Sequence, residues 1–319
     1  MPTTEHARDQ RSLVISESLL LLTAAIWGFA FVFQRTAMDH IGPFTFNALR
    51  FAIGALVMLG IVTVRDARAR ARVDAVTDSS LAADGVRVVE RERWSRRTLL
   101  WGLAAGVLIF GGATLQQVGL VYTTAGKAGF ITGLYIVFVP LLGTFWRQRP
   151  GHGVWFGALL AVVGLFLLSV TEQFTIGLGD TLVLIGALFW AGHVIYAAWV
   201  TQRMSVSRLA CIQFATCSLL SFAVALALEE FDTADIWKAG ISILYGGFVS
   251  VGIAYTLQLV GQRGTPPAHA AIIMGQEAVF AAIGGWMFLS EFLSTRALVG
   301  CALMLGGAII AQLGARGRR

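Results

Sequence analysis

The sequence is poor in charged residues and in cysteine. Only 13% of its 319 residues are charged, against about a quarter in a typical soluble domain. The three cysteines, Cys211, Cys217 and Cys301, all lie in apolar stretches, where a free thiol behaves as a small hydrophobic group, so no structural disulfide is predicted. Because 56% of the residues are hydrophobic, the composition excludes an ordinary soluble domain and favours a membrane protein.

Motifs for secretion and for catalysis are also missing. The first apolar stretch leads into Gln34-Arg35 and not into a small-residue cleavage site, so it is predicted to be a retained helix. There is no H-E-x-x-H, no G-x-S-x-G and no pair of intramembrane aspartates, the arrangements expected of membrane-embedded enzymes. We therefore predict that the chain is not an enzyme and that it holds no cofactor.

What the sequence does contain is long apolar runs. A run of about 20 apolar residues crosses the hydrocarbon core as a helix. Ten runs are present, at approximately 18–38, 43–64, 98–121, 127–146, 153–170, 179–199, 207–228, 238–261, 267–289 and 296–313. These runs, numbered here in chain order, predict an all-α membrane protein with ten transmembrane helices.

Basic residues are distributed unequally between the connections. If the amino terminus is cytosolic, nineteen arginines fall on the cytosolic side, and the opposite side holds only Arg35, Lys127, Lys238 and Arg296. An excess of positive charge marks the cytosolic side. Both termini are therefore predicted to be cytosolic, in the inner or plasma membrane.

The longest connection, about residues 65–97, is rich in Arg, Asp and Ala. It has too few large apolar residues to form a core of its own, so we predict a solvated linker, with contact to the lipid surface as the alternative. The net charge of +6 resides in such membrane-flanking segments and not on one folded face, so it does not indicate nucleic-acid binding.

The two halves of the sequence resemble each other. Residues 114–119, Thr-Leu-Gln-Gln-Val-Gly, reappear as Thr-Leu-Gln-Leu-Val-Gly at 256–261, a shift of 256 − 114 = 142. Further pairs are Trp27 and Trp190, Phe51 and Phe214, Ala125 and Ala268, Ala128 and Ala271, Phe145 and Phe288, Gly157 and Gly300, and Gly164 and Gly307. The matches indicate two repeats of five helices each.

An odd number of helices per repeat places equivalent loops on opposite sides of the membrane. The basic loop at 65–97 has as its counterpart an acidic segment with Glu229, Glu230, Asp232 and Asp235, which agrees with this inversion. Inverted repeats can present one central site to either side, and many secondary transporters are built in this way.

The chain resembles the drug/metabolite transporter superfamily, with two EamA-type domains that cover nearly its whole length. The resemblance rests on Ala25-Ile26-Trp27-Gly28, Leu49-Arg50-Phe51, Gly133-Leu134-Tyr135, Val139-Pro140-Leu141, Trp190, Gln276-Glu277-Ala278, Leu289-Ser290-Glu291-Phe292 and Gly300. It implies a ten-helix exporter or exchanger of a small metabolite, amino acid or drug that works by alternating access. Family members often have a proline where Ala278 stands and a glycine where Ser290 stands, so a kink in run 9 is in doubt, whereas Pro140 predicts one in run 4.

Two deep charged residues are the first candidates for the transport site. Glu277 lies about eleven residues into run 9, close to the bilayer midplane. A charge at that depth costs several kcal/mol unless it is paired, protonated or hydrated. Arg50 in run 2 lies within side-chain reach of the same level. A fixed ion pair between them is one interpretation; the other is that Glu277 exchanges a proton during the cycle and couples transport to protons.

Polar and aromatic residues that recur in both repeats complete the candidate set. Trp27 and Trp190 lie mid-membrane, where either an aromatic wall for substrate or packing between the repeats explains them. Gln116 and Gln258 can bind a polar substrate or join helices, and Thr114 and Thr256 precede them in the same motif. Tyr135 from the resemblance motif and the deep His193 are further candidates.

Metal binding is not predicted, because His193 and His269 lack ligand partners at a suitable spacing.

The predicted organisation has four parts. A cytosolic tail (1–17) precedes the first repeat (18–170), and the second repeat (179–314) precedes a basic cytosolic tail (315–319). The expected partners are a small-molecule substrate, the bilayer and, under the coupling hypothesis, protons. The chain is a monomer or a homodimer on this interpretation. A membrane-embedded enzyme, or a receptor or scaffold without transport activity, is the alternative function.

Overall fold

The structure is a computed structural model that describes residues 4–78, 94–123, 125–146, 148–169, 176–230, 232–288 and 294–316. Every regular element in these ranges is helical. They are α1 (Thr4–Ala37), α2 (Pro43–Asp78), α3 (Arg96–Tyr122), α4 (Ala125–Gly133), α5 (Tyr135–Phe145), α6 (His152–Ser169), α7 (Leu178–Val200), α8 (Val206–Leu228), α9 (Thr233–Lys238), α10 (Gly240–Leu244), a π-helix (Tyr245–Tyr255), α11 (Thr256–Gly261), α12 (Pro267–Met274), α13 (Glu277–Phe288) and α14 (Thr295–Arg316).

The helices are those of a membrane protein. Within the described ranges, eight helical stretches are long and apolar enough to cross a bilayer, and His152–Leu168 is a shorter apolar helix. Run 9 is divided between the short helices α12 and α13. The predicted all-α membrane class is confirmed, and the count of ten transmembrane helices stays a prediction.

The first two helices are longer than their apolar runs. α1 begins at Thr4, within the predicted tail, and α2 continues to Asp78, well into the predicted linker. Residues 67–72 alternate Ala and Arg, both strong helix formers, so the helix continues beyond its apolar part. Residues 79–93 of the basic loop, 289–292 of the resemblance motif and 317–319 of the tail lie outside the described residues.

Runs 4 and 9 are both interrupted near their middles. α4 and α5 meet at Leu134, six residues before Pro140, and α12 and α13 meet at Gly275 and Gln276. The expected kink at Pro140 is thus displaced, and the doubt about run 9 was misplaced, because its helix breaks without a proline. A β-carbon at Gly275 would collide with the Ile136 side chain of α5. The glycine therefore lets the broken helices cross where they are interrupted.

Contacts between the helices follow the twofold pattern of the sequence. α1 packs on α13, and α7, its counterpart in the second half, packs on α4 and α5. The pairs α2 with the π-helix and α3 with α8 correspond in the same way, as do α3 with α7 and α1 with α11. Each of these helix pairs therefore has an equivalent pair in which the helices of the two repeats are interchanged.

The α2–α8 pair is fastened at both ends by equivalent carboxylates. At one end the Glu229 carboxylate accepts hydrogen bonds from the backbone nitrogens of Phe44 (2.9 Å) and Thr45 (2.7 Å), in the first turn of α2. At the other end Arg208, in the first turn of α8, donates to both oxygens of Asp66 at 2.9 and 3.1 Å. The shift of 229 − 66 = 163 is also that of the two tryptophans, so the two anchors are repeat-related.

Glycines hold α6 and α14 together. A β-carbon on Gly157 would collide with the carbonyl oxygen of Gly307, and one on Gly307 with that of Gly157. Gly164 and Gly300 form the equivalent crossing. Because apolar side chains gain little by leaving lipid for protein, close backbone packing of this kind is what holds membrane helices together.

Adjacent glycines of α14 test this interpretation. Gly307→Ala is expected to lower stability by about 1–3 kcal/mol, because two backbones must separate. Gly306 has nothing within 4 Å of its β-carbon position, so Gly306→Ala is expected to be neutral or to stabilise the helix by up to about 1 kcal/mol. Thermal unfolding of the two purified variants in one detergent measures the difference. Equal melting temperatures would contradict the glycine seam.

Candidate functional site

A cavity lies where α1, α2, α3, α7, the π-helix and the broken helices meet. About 540 Å³ of space lies between its walls, part of it open to the surroundings of the protein. Its walls are made by Trp27, Phe31, Gln34, Arg50, Gln116, Thr132, Tyr135, Trp190, Val194, Ser250, Tyr255, Gln258, Met274 and Glu277. Both repeats contribute, so the cavity lies at the interface between them.

The structure brings together seven of the ten candidate residues named from the sequence. Those that line the cavity are Glu277, Arg50, Trp27, Trp190, Gln116, Gln258 and Tyr135. Thr114 does not, and its buried hydroxyl has no partner. The Thr256 hydroxyl donates to the Gly252 carbonyl oxygen at 2.7 Å, within its own helical segment. These two threonines are therefore part of the scaffold and not of the cavity wall.

His193 lies one layer behind the wall. Its Nε2 is 3.3 Å from the Gln213 Oε1, and its ring packs edge-on against Trp190 and Tyr255. His193 therefore packs behind the aromatic residues of the wall and does not itself line the cavity. Within the described ranges, no three His, Cys, Asp or Glu side chains cluster as a metal site would require.

Glu277 is the acidic residue of the wall. It is the first residue of α13, where the helix dipole stabilises a carboxylate. Its side chain is buried, with 6% of the residue exposed, and the Tyr135 hydroxyl faces it without completing a hydrogen bond. The interruption of run 9 thus gives a buried acid a favourable helix end and leaves it open to the cavity.

Arg50 is held mainly by aromatic rings. Its Nε donates to Asn47 Oδ1 at 3.0 Å. The guanidinium lies 5.1 Å from the ring centre of Phe46 and 5.0 Å from that of Phe51, distances typical of cation–π contacts. Neither interaction neutralises the positive charge.

The two charges do not form an ion pair. Ion pairs in the described part of the chain join Arg35 to Asp39, Arg208 to Asp66 and Lys238 to Asp235. The ionisable neighbours of Arg50 are Tyr255 and Cys217, whereas Glu277 neighbours Tyr135 and Tyr255. The fixed Arg50–Glu277 pair considered from the sequence is therefore wrong for this structure. One cavity presents opposite charges at separate points, with Tyr255 near both.

Tyr255 is the main residue that the sequence did not reveal. Its ring centre is 4.8 Å from that of Trp27 and 6.2 Å from that of Trp190. The repeat gave no signal for it, because the equivalent position of the first half, 255 − 142 = 113, is an alanine. Comparison of the two repeats therefore identifies residues that both halves keep and misses a residue, such as Tyr255, that occurs in one half alone.

Several polar atoms of the wall have no partner within the protein. They are Gln34 Oε1, Thr132 Oγ1, the Tyr135 hydroxyl and Gln258 Oε1, and each is buried. Buried polar groups are costly unless something hydrogen-bonds them. Of these four residues, Tyr135 and Gln258 belong to the predicted set, and Gln34 and Thr132 do not.

Known proteins resemble this chain over nearly its whole length. The EamA-like transporter family matches twice, at residues 14–170 and 177–312. A protein of Archaeoglobus fulgidus named as an uncharacterized transporter is 31% identical over 92% of this chain and 84% of its own length. The transporter YwfM of Bacillus subtilis, likewise named as uncharacterized, is 24% identical over 91% of each chain.

The fold also has a counterpart among solved structures. One crystal structure of a protein aligns with 95% of this chain and 99% of its own chain, at a TM-score of 0.74 and 18% sequence identity. At that identity the match shows a shared fold.

Replacement of Arg50 by lysine tests how the cavity holds its cation. A lysine keeps the charge but loses the planar stacking on two rings. Arg50→Lys is expected to lower stability by about 1–2 kcal/mol, the value of a buried cation–π contact. Arg35→Lys, in an exposed ion pair, is the matched control and is expected to change stability by less than about 0.5 kcal/mol. Equal effects in thermal unfolding would contradict the stacking role.

Proposed function

Because the chain belongs to the EamA-like transporter family, we propose that this multi-pass membrane transporter is a secondary transporter that exports or exchanges a small solute by alternating access. The cavity between the repeats is its solute site. The observation that carries the proposal is the presence of Arg50 and Glu277 in one cavity, buried and not paired with each other. Unpaired intramembrane charges are kept where a solute or ion uses them.

The chemistry of the wall favours a solute with two opposite charges and an apolar or aromatic body. Glu277 suits an ammonium group and Arg50 a carboxylate. Trp27, Trp190 and Tyr255 offer ring faces and edges to the body of the solute. An amino acid combines these features, whereas a cationic drug would use Glu277 and leave Arg50 without a partner.

We place the transporter in the cell membrane with both termini in the cytosol, because its arginines are concentrated in the segments on that side. Proton coupling is part of the proposal. Glu277 is the acid of the cavity wall, and the groups that face it are Tyr135 of α5 and Tyr255 of the π-helix. Uptake of a proton on Glu277 would remove the charge that holds a cationic group and so favour release.

Counterflow in proteoliposomes tests the proposal with three solutes that share one ring. Phenylalanine carries both charges, phenethylamine only the positive one and phenylpropionate only the negative one. The proposal expects saturable counterflow with preference for the zwitterion. Glu277→Gln is expected to keep counterflow but to lose accumulation driven by a proton gradient, since exchange needs no net proton movement. Glu230→Gln, at an exposed acid, is the matched control and is expected to behave as the wild type.

Two results would go against the proposal. If wild type exchanged none of these solutes, nor other amino acids, purine or pyrimidine metabolites or cationic dyes, a carrier function would be contradicted and a receptor or scaffold role favoured. If Glu277→Gln still accumulated solute against the gradient, carrier function would stand and coupling through Glu277 would not.

A further inference from the structure

The two repeat-related Trp and Gln residues form different hydrogen bonds in the two halves. In the α3–α7 interface, Trp190 Nε1 donates to Gln116 Oε1 at 2.8 Å. Trp27 and Gln258 are their counterparts, since 190 − 27 = 163 and 258 − 116 = 142. Yet Trp27 Nε1 donates to the Ser250 carbonyl oxygen at 3.3 Å, and Gln258 Oε1 is buried without a partner. The Trp190–Gln116 pair is hydrogen-bonded, and the equivalent Trp27–Gln258 pair is not.

The ends of the same helix pairs show the same difference. The Thr123 hydroxyl, at the end of α3, donates to the Asp180 carboxylate in the first turn of α7. The repeat equivalents are Thr265, after α11, and Glu17 of α1, by the same two shifts. Thr265 Oγ1 is buried and has no partner. The α3–α7 interface thus has two hydrogen bonds that the equivalent α1–α11 interface lacks.

The backbone differs at the same place. Tyr245–Tyr255, directly before α11, is π-helical, whereas its counterpart, residues 103–113, lies inside the continuous α-helix α3. A π-helix turns through a smaller angle per residue than an α-helix and is frequently found at functional sites. The residues of the two segments are therefore rotated differently about the helix axis, and Gln116 and Gln258 are oriented differently relative to the tryptophans.

Inverted repeats provide a reason for one chain to hold both arrangements. In a transporter built from them, each half adopts in one state the arrangement that the other half adopts in the opposite state. We propose that Trp27–Gln258 and Trp190–Gln116 are alternating latches, of which one is closed in each of the two states of the transport cycle. The inference rests on the proposed alternating-access function.

On this account Gln258 Oε1 has no partner here because its donor, Trp27 Nε1, is engaged elsewhere. In the opposite state Trp27 donates to Gln258, Thr265 pairs with Glu17, and Trp190 releases Gln116. Both tryptophans line the cavity, so this change of hydrogen-bond partners also reorients two of the rings that line it. Gln116 and Gln258 are positioning residues in this scheme, because they act on the solute through the tryptophans.

Opposite effects of equivalent substitutions test the proposal without any solute. Hydrogen–deuterium exchange of the purified full chain would be followed in peptides at the Thr123–Asp180 end of α3 and α7 and at the Glu17–Thr265 end of α1 and α11. Gln116→Leu is expected to speed exchange at the first end and to slow it at the second. Gln258→Leu is expected to do the reverse. The changes should be about threefold to tenfold, the value of one interhelical hydrogen bond in a membrane.

Further variants protect the test against misfolding and local effects. Trp190→Phe removes the same bond from the donor side and should reproduce Gln116→Leu. The double variant Gln116→Leu with Gln258→Leu should return both ends towards wild-type exchange. Gln148→Leu, in the loop after α5, is the matched control and should change neither end.

A different outcome would overturn the latches. In the alternative, the sequence fixes the difference between the halves, because a β-carbon on Gly112 would collide with the Trp190 ring and the counterpart of Gly112 is Ala254. In that case each variant would change exchange only near its own site, with no response at the other end. Such a result would not affect the proposed transport function, which the counterflow assay tests separately. If the variants changed hydrogen–deuterium exchange reciprocally but the protein moved no solute, the two latch states would be supported and the transport function contradicted.

Discussion

The hydrocarbon core offers no water to a polar group, and this one constraint explains most of the molecule. A charge placed there must be paired, solvated or used. Two of the carboxylate contacts, Arg208 with Asp66 and Glu229 with the first turn of α2, lie at the ends of helices and fasten them. Arg50 and Glu277 are treated differently, because each receives partial compensation, from rings and from a helix end, and each is left facing one cavity.

That cavity is asymmetric although the scaffold around it is built symmetrically. Glycine crossings between α6 and α14 and the carboxylate anchors of α2 and α8 occur in equivalent pairs. The differences between the halves are concentrated in α1, α3, α7 and the π-helix, which line the cavity. A repeated frame around a few unequal contacts fits the alternating access that we propose.

Much of this could be predicted from the sequence, and the remainder could not for identifiable reasons. Apolar runs report membrane helices directly, and the repeat pointed to Trp27, Trp190, Gln116 and Gln258 because both halves keep them. The comparison of repeats did not identify Tyr255 as a residue of the site, since its counterpart is an alanine. The breaks at Leu134 and Gly275 also escaped, because glycine packing and not proline governs the second one. Whether Arg50 and Glu277 pair depends on side-chain directions that depth along a helix does not determine.

Arg50 and Glu277 share a cavity without pairing, and we propose that they are kept for a solute. A double-mutant cycle measures whether they pair: Arg50→Met, Glu277→Gln and the combined variant are compared by unfolding in detergent without solute. If the two charges are not paired, Glu277→Gln is expected to keep or raise stability, because it removes a buried charge that has no ionic partner. A loss of about 3–5 kcal/mol in Glu277→Gln that the combined variant regains would show a structural ion pair and contradict a cavity with two unpaired charges.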